Sequence, residues 1–267
     1  MIKQISVEHP VIKRLDCEPF WFVGKDGLKS SGGEYFARRN MGNLDAEAFF
    51  TILEGTPTDA LQHTLSSVFL VANHLRAHKP DKHVQEHHTV NASLSGLILE
   101  SAAERILSCM GDNPNLRPTI EVTEMRRDLS ERAMRKIEKN VRHLRQHGVD
   151  IFLDDVDDNG EIDPRWNHLF QHAAGIKLAA PMTKKILDGG LDSLSTPARR
   201  MVVDSVQDDR ILVVEAVSNR ADAIKLASHF KGFTQPLMQG HNLNGEKRHT
   251  PRHTETTGVS RSLVFTA

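Results

Sequence analysis

Apolar positions along this chain follow two rhythms. Short apolar runs of four or five residues alternate with longer stretches in which apolar residues recur every three or four positions. Over 58–77, "TDALQHTLSSVFLVANHLRA", the spacing puts Leu61, Leu65, Val68, Ala72 and Leu75 on one face and predicts a helix. Over 129–147, Leu129, Ala133, Ile137, Val141 and Leu144 do the same, and Gly148 follows as a stop. The short runs predict eight strands: "FWFV" (20–23), "EYFAR" (34–38), "HTVNA" (88–92), "TIEVT" (119–123), "DIFLD" (150–154), "GIKLA" (175–179), "ILVVE" (211–215) and "TQPLM" (234–238). Strand–helix alternation of this kind predicts an α/β fold with a parallel sheet and helices outside it. Eight units in this length point to a closed (β/α)8 barrel of the triosephosphate-isomerase type, with an open doubly wound sheet as the alternative.

Composition narrows the picture by exclusion. The chain has 267 residues, a formal net charge of -1 and a pI near 7.0, which gives no electrostatic case for DNA, RNA or an anionic membrane surface. No apolar stretch approaches the roughly 20 residues that span a bilayer. The start, "MIKQISVEHPVIKR", lacks the apolar core of a secretory signal, and no sensory or second catalytic domain is expected. Cys17 and Cys109 have no zinc or disulfide spacing and read as reduced thiols of a cytoplasmic protein. The 15 histidines are scattered through polar contexts such as "HVQEHHTV" and "KRHTPRHTETT" and read as surface residues. There is no glycine-rich nucleotide loop and no linker. The expected organisation is an N-terminal extension over 1–16, a barrel domain over 17–243 and a polar C-terminal segment over 244–267 with an apolar end at "SLVF".

The chemistry lies where the strands end. Asn91, Glu121 and Glu124, Asp154 and Asp155, Lys177, Glu215 and Gln239 each sit inside or at the end of an otherwise apolar run. An inward charge is costly unless it is paired or bound to a cation. In a barrel the C-terminal strand ends converge on one mouth, so these acids would meet there. Carboxylate and amide oxygens without Cys or His suit Mg²⁺ or Mn²⁺. Taken singly, each has a plainer reading: a strand-end Asp caps a helix, Glu124 is solvated, and Lys177 pairs with a neighbouring acid. "FLDDVDDNGEID" (152–163) also approximates a calcium loop, but a strand-like run precedes it, and the twelfth position from Asp155 is Trp166 rather than Glu.

Together these segments resemble the EAL domains, bacterial cyclic-di-GMP phosphodiesterases, over roughly residues 17–243. "GGEYFARR" is similar to the segment that names the family, "TVNASL" to its Val-Asn-x-Ser, "IEVTE" to its Glu-Ile-Thr-Glu and "FLDD" to its Leu-Asp-Asp. "GIKLA", "VVEAV" and "QG" supply the family's lysine, late glutamate and glutamine. The resemblance implies a metal-dependent hydrolysis of cyclic-di-GMP to linear pGpG with two Mg²⁺ or Mn²⁺ ions. Asp154 would bridge them, Glu34, Asn91 and Glu121 would complete one shell, and Asp155 and Glu215 would hold the other. Lys177, Glu215 and Gln239 would be the catalytic set, with Lys177 and Gln239 orienting water, and Arg38 would grip a substrate phosphate. It also implies a homodimer contact beside the loop after Asp155.

Several positions depart from the family pattern. Glu-Ala-Leu is here Glu34-Tyr35-Phe36, and the loop after the aspartates is "VDDNGEIDPRW". The acid two residues after the lysine is Ala179, the glutamate that braces the loop is Ser218, and the early Gln-Pro is replaced within "EPFWFV". These departures keep a second expectation open: a degenerate EAL domain that binds cyclic-di-GMP without cleaving it, or that acts through a regulatory protein partner.

Overall fold

The computed structural model describes residues 3–6, 12–39, 51–53, 55–78, 86–113, 116–123, 129–158, 164–240 and 243. Each apolar run falls wholly or partly in a strand of one sheet. In chain order the strands are β1 (Lys3–Ser6), β2 (Ile12–Gly24), β3 (Gly27–Arg39), β4 (His87–Ser93), β5 (Thr119–Thr123), β6 (Ile151–Val156), β7 (Gly175–Leu178), β8 (Ile211–Val214) and β9 (Leu237–Gln239). Each strand pairs with the next, and β2 also pairs with β9 through Phe20–Gln239 and Trp21–Met238, which closes the barrel. β1 lies outside the closure, on the far edge of β2.

The barrel is not all parallel, as the alternation had predicted. Strands β3 to β9 run parallel, but β2 is antiparallel to both of its barrel neighbours. The cause is local. Only Lys25 and Asp26 separate β2 from β3, and a two-residue connection can join only antiparallel strands. Gly27 takes φ +116° at that turn, which an L side chain rarely adopts.

Helices α1 (Pro57–His78), α2 (Leu94–Leu97), α3 (Ala102–Met110), α4 (Glu131–Gln146), α5 (Pro164–Leu169), α6 (Ala180–Gly189), α7 (Thr196–Gln207) and α8 (Arg220–His229) follow or alternate with the strands. The predicted face of α1 is buried: Leu61, Leu65, Val68, Ala72 and Leu75 all pack inward. In α4, Ile137, Val141 and Leu144 are buried, and Ser130 accepts a bond from the Ala133 amide at 3.3 Å as its N-cap. Gly148 ends that segment at φ +75°.

The main core fills the space between strands and helices. A second, smaller cluster of Phe20, Phe152, Val213 and Leu237 packs together, with Phe22 against it. These side chains come from strands around the ring and form the floor of the barrel interior.

Two histidines expected at the surface are not there. His87 begins β4 and is buried with its ring 6.1 Å from Phe152. His88 is half-buried, with Nδ1 3.3 Å from the Tyr35 hydroxyl and Nε2 2.9 Å from Glu86 Oε2. Strand formation sends adjacent residues to opposite faces, so the pair is drawn in with β4. Cys17 is buried and Cys109 half-buried, both as thiols. No helix among the described residues is long and apolar enough to cross a membrane.

Candidate active site

Alternation builds the site from the floor. Side chains two residues apart on a strand share a face. Phe152, Gly175, Val213 and Leu237 lie on the inner face low in the barrel, and two residues on come Asp154, Lys177, Glu215 and Gln239. On the other side, Glu34, Asn91 and Glu121 complete the layer. Asn91 is in register with Glu121, and Glu34 with Thr89. On β6, β8 and β9 the inner face thus changes from apolar to polar over one step, at the C-terminal end.

Lys177 stands at the centre and is 1% exposed. Its Nζ lies 3.0 Å from Glu34 Oε2, 2.9 Å from Asp154 Oδ1 and 2.7 Å from Glu215 Oε1, and it also contacts Glu121 Oε1. Asn91 donates to Glu34 Oε1 at 2.6 Å, and Gln239 Nε2 donates to Glu34 Oε2 at 2.9 Å. Thr89 donates its hydroxyl to Glu121 Oε2 at 2.8 Å. Asp155 is the exposed member of the set. Ligand oxygens of Asp154, Asp155 and Glu215 lie within 4.8 Å of one another, a spacing open to one cation.

The backbone is bent where the acids turn in. The ladder between β6 and β7 is irregular between Leu153 and Val156, and Asp155 has φ 51°. Ala216, next to Glu215, has φ 54°. Left-handed residues other than glycine are held against a cost of about 1–3 kcal/mol each and cluster where side chains must be aimed.

The electrostatics follow from burial and crowding. Burial opposes the charge on Glu34, yet Lys177 and the donors Gln239 and Asn91 outweigh it and hold this carboxyl below its ordinary range. Glu121 goes the other way: burial, then the Glu34 charge, push it well above. Burial lifts Asp154 to about 6 against the pull of Lys177. Burial likewise lifts Glu215 to about 7, with Asp154 adding to it. Burial would lower Lys177, but its four carboxylates reverse this and fix it as an ammonium.

The donor set fits a divalent cation. Five carboxylates face one ammonium. Glu121 Oε1 and Asp154 Oδ1 are ion-paired to Lys177 without an aligned hydrogen bond, and Gln239 Oε1 is buried with no hydrogen bond among the described residues. Oxygens of this kind are what a hard cation takes.

Arg38 is not part of this cluster. Its Nε donates to Asp16 Oδ2 at 2.8 Å, its guanidinium stacks 5.0 Å from the Phe36 ring centroid, and Arg14 holds the other oxygen of Asp16 at 2.9 Å. It borders a cavity of about 310 Å³ whose wall also includes Glu34, Asn91, Asp154 and Asp155. The sequence reading passed over Asp16 and Thr89. Thr89 had a legible signal, since it lies two residues before Asn91 on the same strand face. Asp16 had a weaker one: Arg14 lies two residues before it on β2, but its other partner, Arg38, comes from β3. Glu124 lies outside the described residues, as do Asn159, Gly160 and Ile162 of the calcium-loop pattern. The segment before that pattern is strand β6, whereas an EF-hand needs a helix there.

No protein-family model matches the chain, and no curated protein matches it in sequence. Solved structures do match in fold. The PaMucR phosphodiesterase in complex with c-di-GMP is 17% identical with a TM-score of 0.63, covering 87% of this chain and 91% of that one. The Xanthomonas citri FimX EAL domain in complex with c-diGMP is 13% identical at 0.58, covering 85% and 84%. The EAL enzyme Bd1971, in its cAMP and cyclic-di-GMP bound form, is 17% identical at 0.56 over 85% of this chain, which spans only 60% of the length of that protein. An eight-stranded barrel with one antiparallel strand, closed on itself and carrying its acids at the parallel strand ends, has the fold of an EAL domain.

Proposed function

We propose that the chain is a divalent-cation-dependent phosphodiesterase that hydrolyses one phosphodiester of cyclic-di-GMP and releases linear pGpG. One observation carries this reading: acids from separate strands converge on a single lysine and leave an excess of negative charge inside a protein. Such an arrangement is costly for an inert barrel and useful to one that takes up Mg²⁺ or Mn²⁺. Asp154, Asp155 and Glu215 would hold one ion and Glu34, Asn91 and Glu121 a second, with Asp154 shared. When bound, the ions supply Lewis acidity toward the phosphoryl oxygens and lower the pKa of water.

The chain's own groups do the rest. Lys177 keeps the acid set together and offsets charge that grows on the phosphoryl group. Gln239, held by its bond to Glu34, presents its buried carbonyl oxygen to a water. Without a cation, Glu215 and Asp154, lifted by burial, take up protons near neutrality, so a cation that binds there displaces those protons. Arg38, braced by Asp16 at the cavity wall, binds a phosphate oxygen. In the hydrolysis, water oxygen bonds to phosphorus and the ester bond to one ribose oxygen breaks, and that oxygen leaves with a proton.

The test is direct. Purified chain incubated with cyclic-di-GMP and Mn²⁺ or Mg²⁺ forms pGpG, and Glu34→Ala reduces the rate by about 100-fold or more. Product formation that survives this substitution overturns the assignment.

One observation favours a second reading. Lys177 already neutralises part of the acid set, and the acids at the family's supporting positions are replaced by Ala179 and Ser218. In that reading the chain is a non-hydrolysing receptor for cyclic-di-GMP, or a regulator that works through a homodimer or a protein partner. Calorimetric binding of cyclic-di-GMP without turnover selects the receptor; no binding selects the regulator.

A further inference from the structure

The loop after Asp155 departs from the family pattern, yet its first turn is firmly held. Asp158 has a side chain 1% exposed, far from water for a carboxylate in a connecting segment. Its Oδ2 accepts from the Ser195 amide at 3.0 Å and from Lys185 Nζ at 3.0 Å, and Lys185 Nζ also reaches the Asp158 carbonyl at 2.8 Å. Lys185 belongs to α6, and Ser195 is the N-cap of α7, where its hydroxyl accepts from Ala198. Ser193 Oγ closes the arrangement by donating to the Lys185 carbonyl at 2.7 Å. These bonds hold Asp158 below the ordinary carboxylate range against its burial. One carboxylate thus ties the end of β6 to two helices on the outside of the barrel.

The position of this tie matters. Between Leu153, which is in the β6–β7 ladder, and Val156, which re-enters it opposite Leu178, lie only Asp154 and Asp155. The Val156 carbonyl accepts from the Ala179 amide at 3.0 Å, and the Asp158 anchor follows two residues on. Asp155 sits in the left-handed region between these fixed points, exposed, and among the described residues no hydrogen bond braces its side chain as bonds brace Glu34 and Glu121. A strained, exposed residue keeps its direction only if the backbone on both sides is over-determined. The family's supporting acids are absent at Ala179 and Ser218.

We infer that Asp158, clamped by Lys185 and the Ser195 amide, is the positioning residue that aims Asp155 and Asp154 at the cation site, a support this chain has built in place of the missing acids. The inference rests on the proposed cation site. Removing the clamp leaves every proposed ligand in place but frees the segment that aims two of them. Partners hydrogen-bonded directly to a metal ligand carry about 10–100-fold in metal affinity, and Asp158, which acts through the backbone, is expected at the lower end of that range.

The experiment measures Mn²⁺ affinity by calorimetry on the full chain, beside the thermal midpoint without metal. Wild type, Asp158→Ala, Lys185→Met and Lys185→Arg are compared. Mn²⁺ binding is expected to weaken about 10-fold or more in Asp158→Ala and by a smaller factor in Lys185→Met, with Lys185→Arg close to wild type. A purely structural role would lower the metal-free midpoint and leave the Mn²⁺ affinity of the folded protein unchanged, and that result overturns the inference. Should Asp158→Ala fail to fold, Lys185→Met decides alone: it changes a half-exposed side chain, and wild-type affinity there overturns the inference equally. A wild-type chain that takes up no Mn²⁺ overturns the cation reading itself, and this inference with it.

Discussion

The floor and the mouth of this barrel share strands β6, β8 and β9, one inner step apart, and they obey opposite rules. Phe20, Phe152, Val213 and Leu237 meet at the floor, where each gains from leaving water and none needs a partner. Two residues further along, Asp154, Glu215 and Gln239 meet Glu34, Glu121 and Lys177, where each loses by leaving water and all depend on their partners. The floor is stable as it stands. The mouth is a surplus of acid held by one ammonium, and it has a use for more positive charge. Strength and reactivity are thus separated along β6, β8 and β9 rather than between domains.

The largest expected effects lie in one substitution from each layer. Lys177→Met leaves buried carboxylates unpaired and should cost roughly 3–5 kcal/mol at pH 8. Phe152→Ala opens a cavity in the floor and should cost a similar 3–5 kcal/mol or so. The two differ in what repairs them. In urea denaturation, Mn²⁺ should recover much more stability in Lys177→Met than in wild type, and no more than the wild-type increment in Phe152→Ala. Equal recovery in both would mean that the mouth is not where the cation acts.

A pH series sharpens the same contrast with a smaller effect. Asp154 rises from 3.8 to about 6 and Glu215 from 4.5 to about 7 on folding. The folded chain therefore holds protons that the unfolded chain has released, so this contribution to stability is full below the unfolded values and is lost as pH rises through 6 to 7. A divalent cation competes with those protons. The gain in thermal midpoint on adding Mn²⁺ should grow between pH 5 and pH 8, and a gain that is flat or falls with pH would contradict the assignment of these two acids.

The smallest effect tests the rim of the mouth. Ala179 is the N-cap of α6 and makes no side-chain cap bond. Ala179→Asp supplies the missing acceptor and should add about 1 kcal/mol of stability. If Asp158 has taken over the supporting role, the same substitution with Ser218→Glu changes turnover little; a large rise would show that the loop is under-supported as it stands.

Much of this was legible in the residue pattern because strand geometry is local. Polar groups at the ends of apolar runs named Asn91, Glu121, Asp154, Lys177, Glu215 and Gln239, whereas Glu34 was named only through the resemblance to the EAL domains. The antiparallel β2 had a signal too, the turn-forming cluster Gly24-Lys25-Asp26-Gly27 directly after an apolar run. Reading strand–helix alternation alone passed over it. The same reading put His87 and His88 on the surface, because polar neighbours outweighed the start of a strand.

By itself the sequence determined the strands, their inner faces and the chemical type of each group at the mouth, since these depend on neighbours one to four residues away. Only the tertiary structure decided that one lysine would be shared by four carboxylates, that Asp16 would hold Arg38, and that Asp158 would be buried between Lys185 and Ser195. Those partners meet across separations as long as the 143 positions from Glu34 to Lys177. The distances that set a charge's partner, and therefore its protonation and its use, exist only once the barrel has closed.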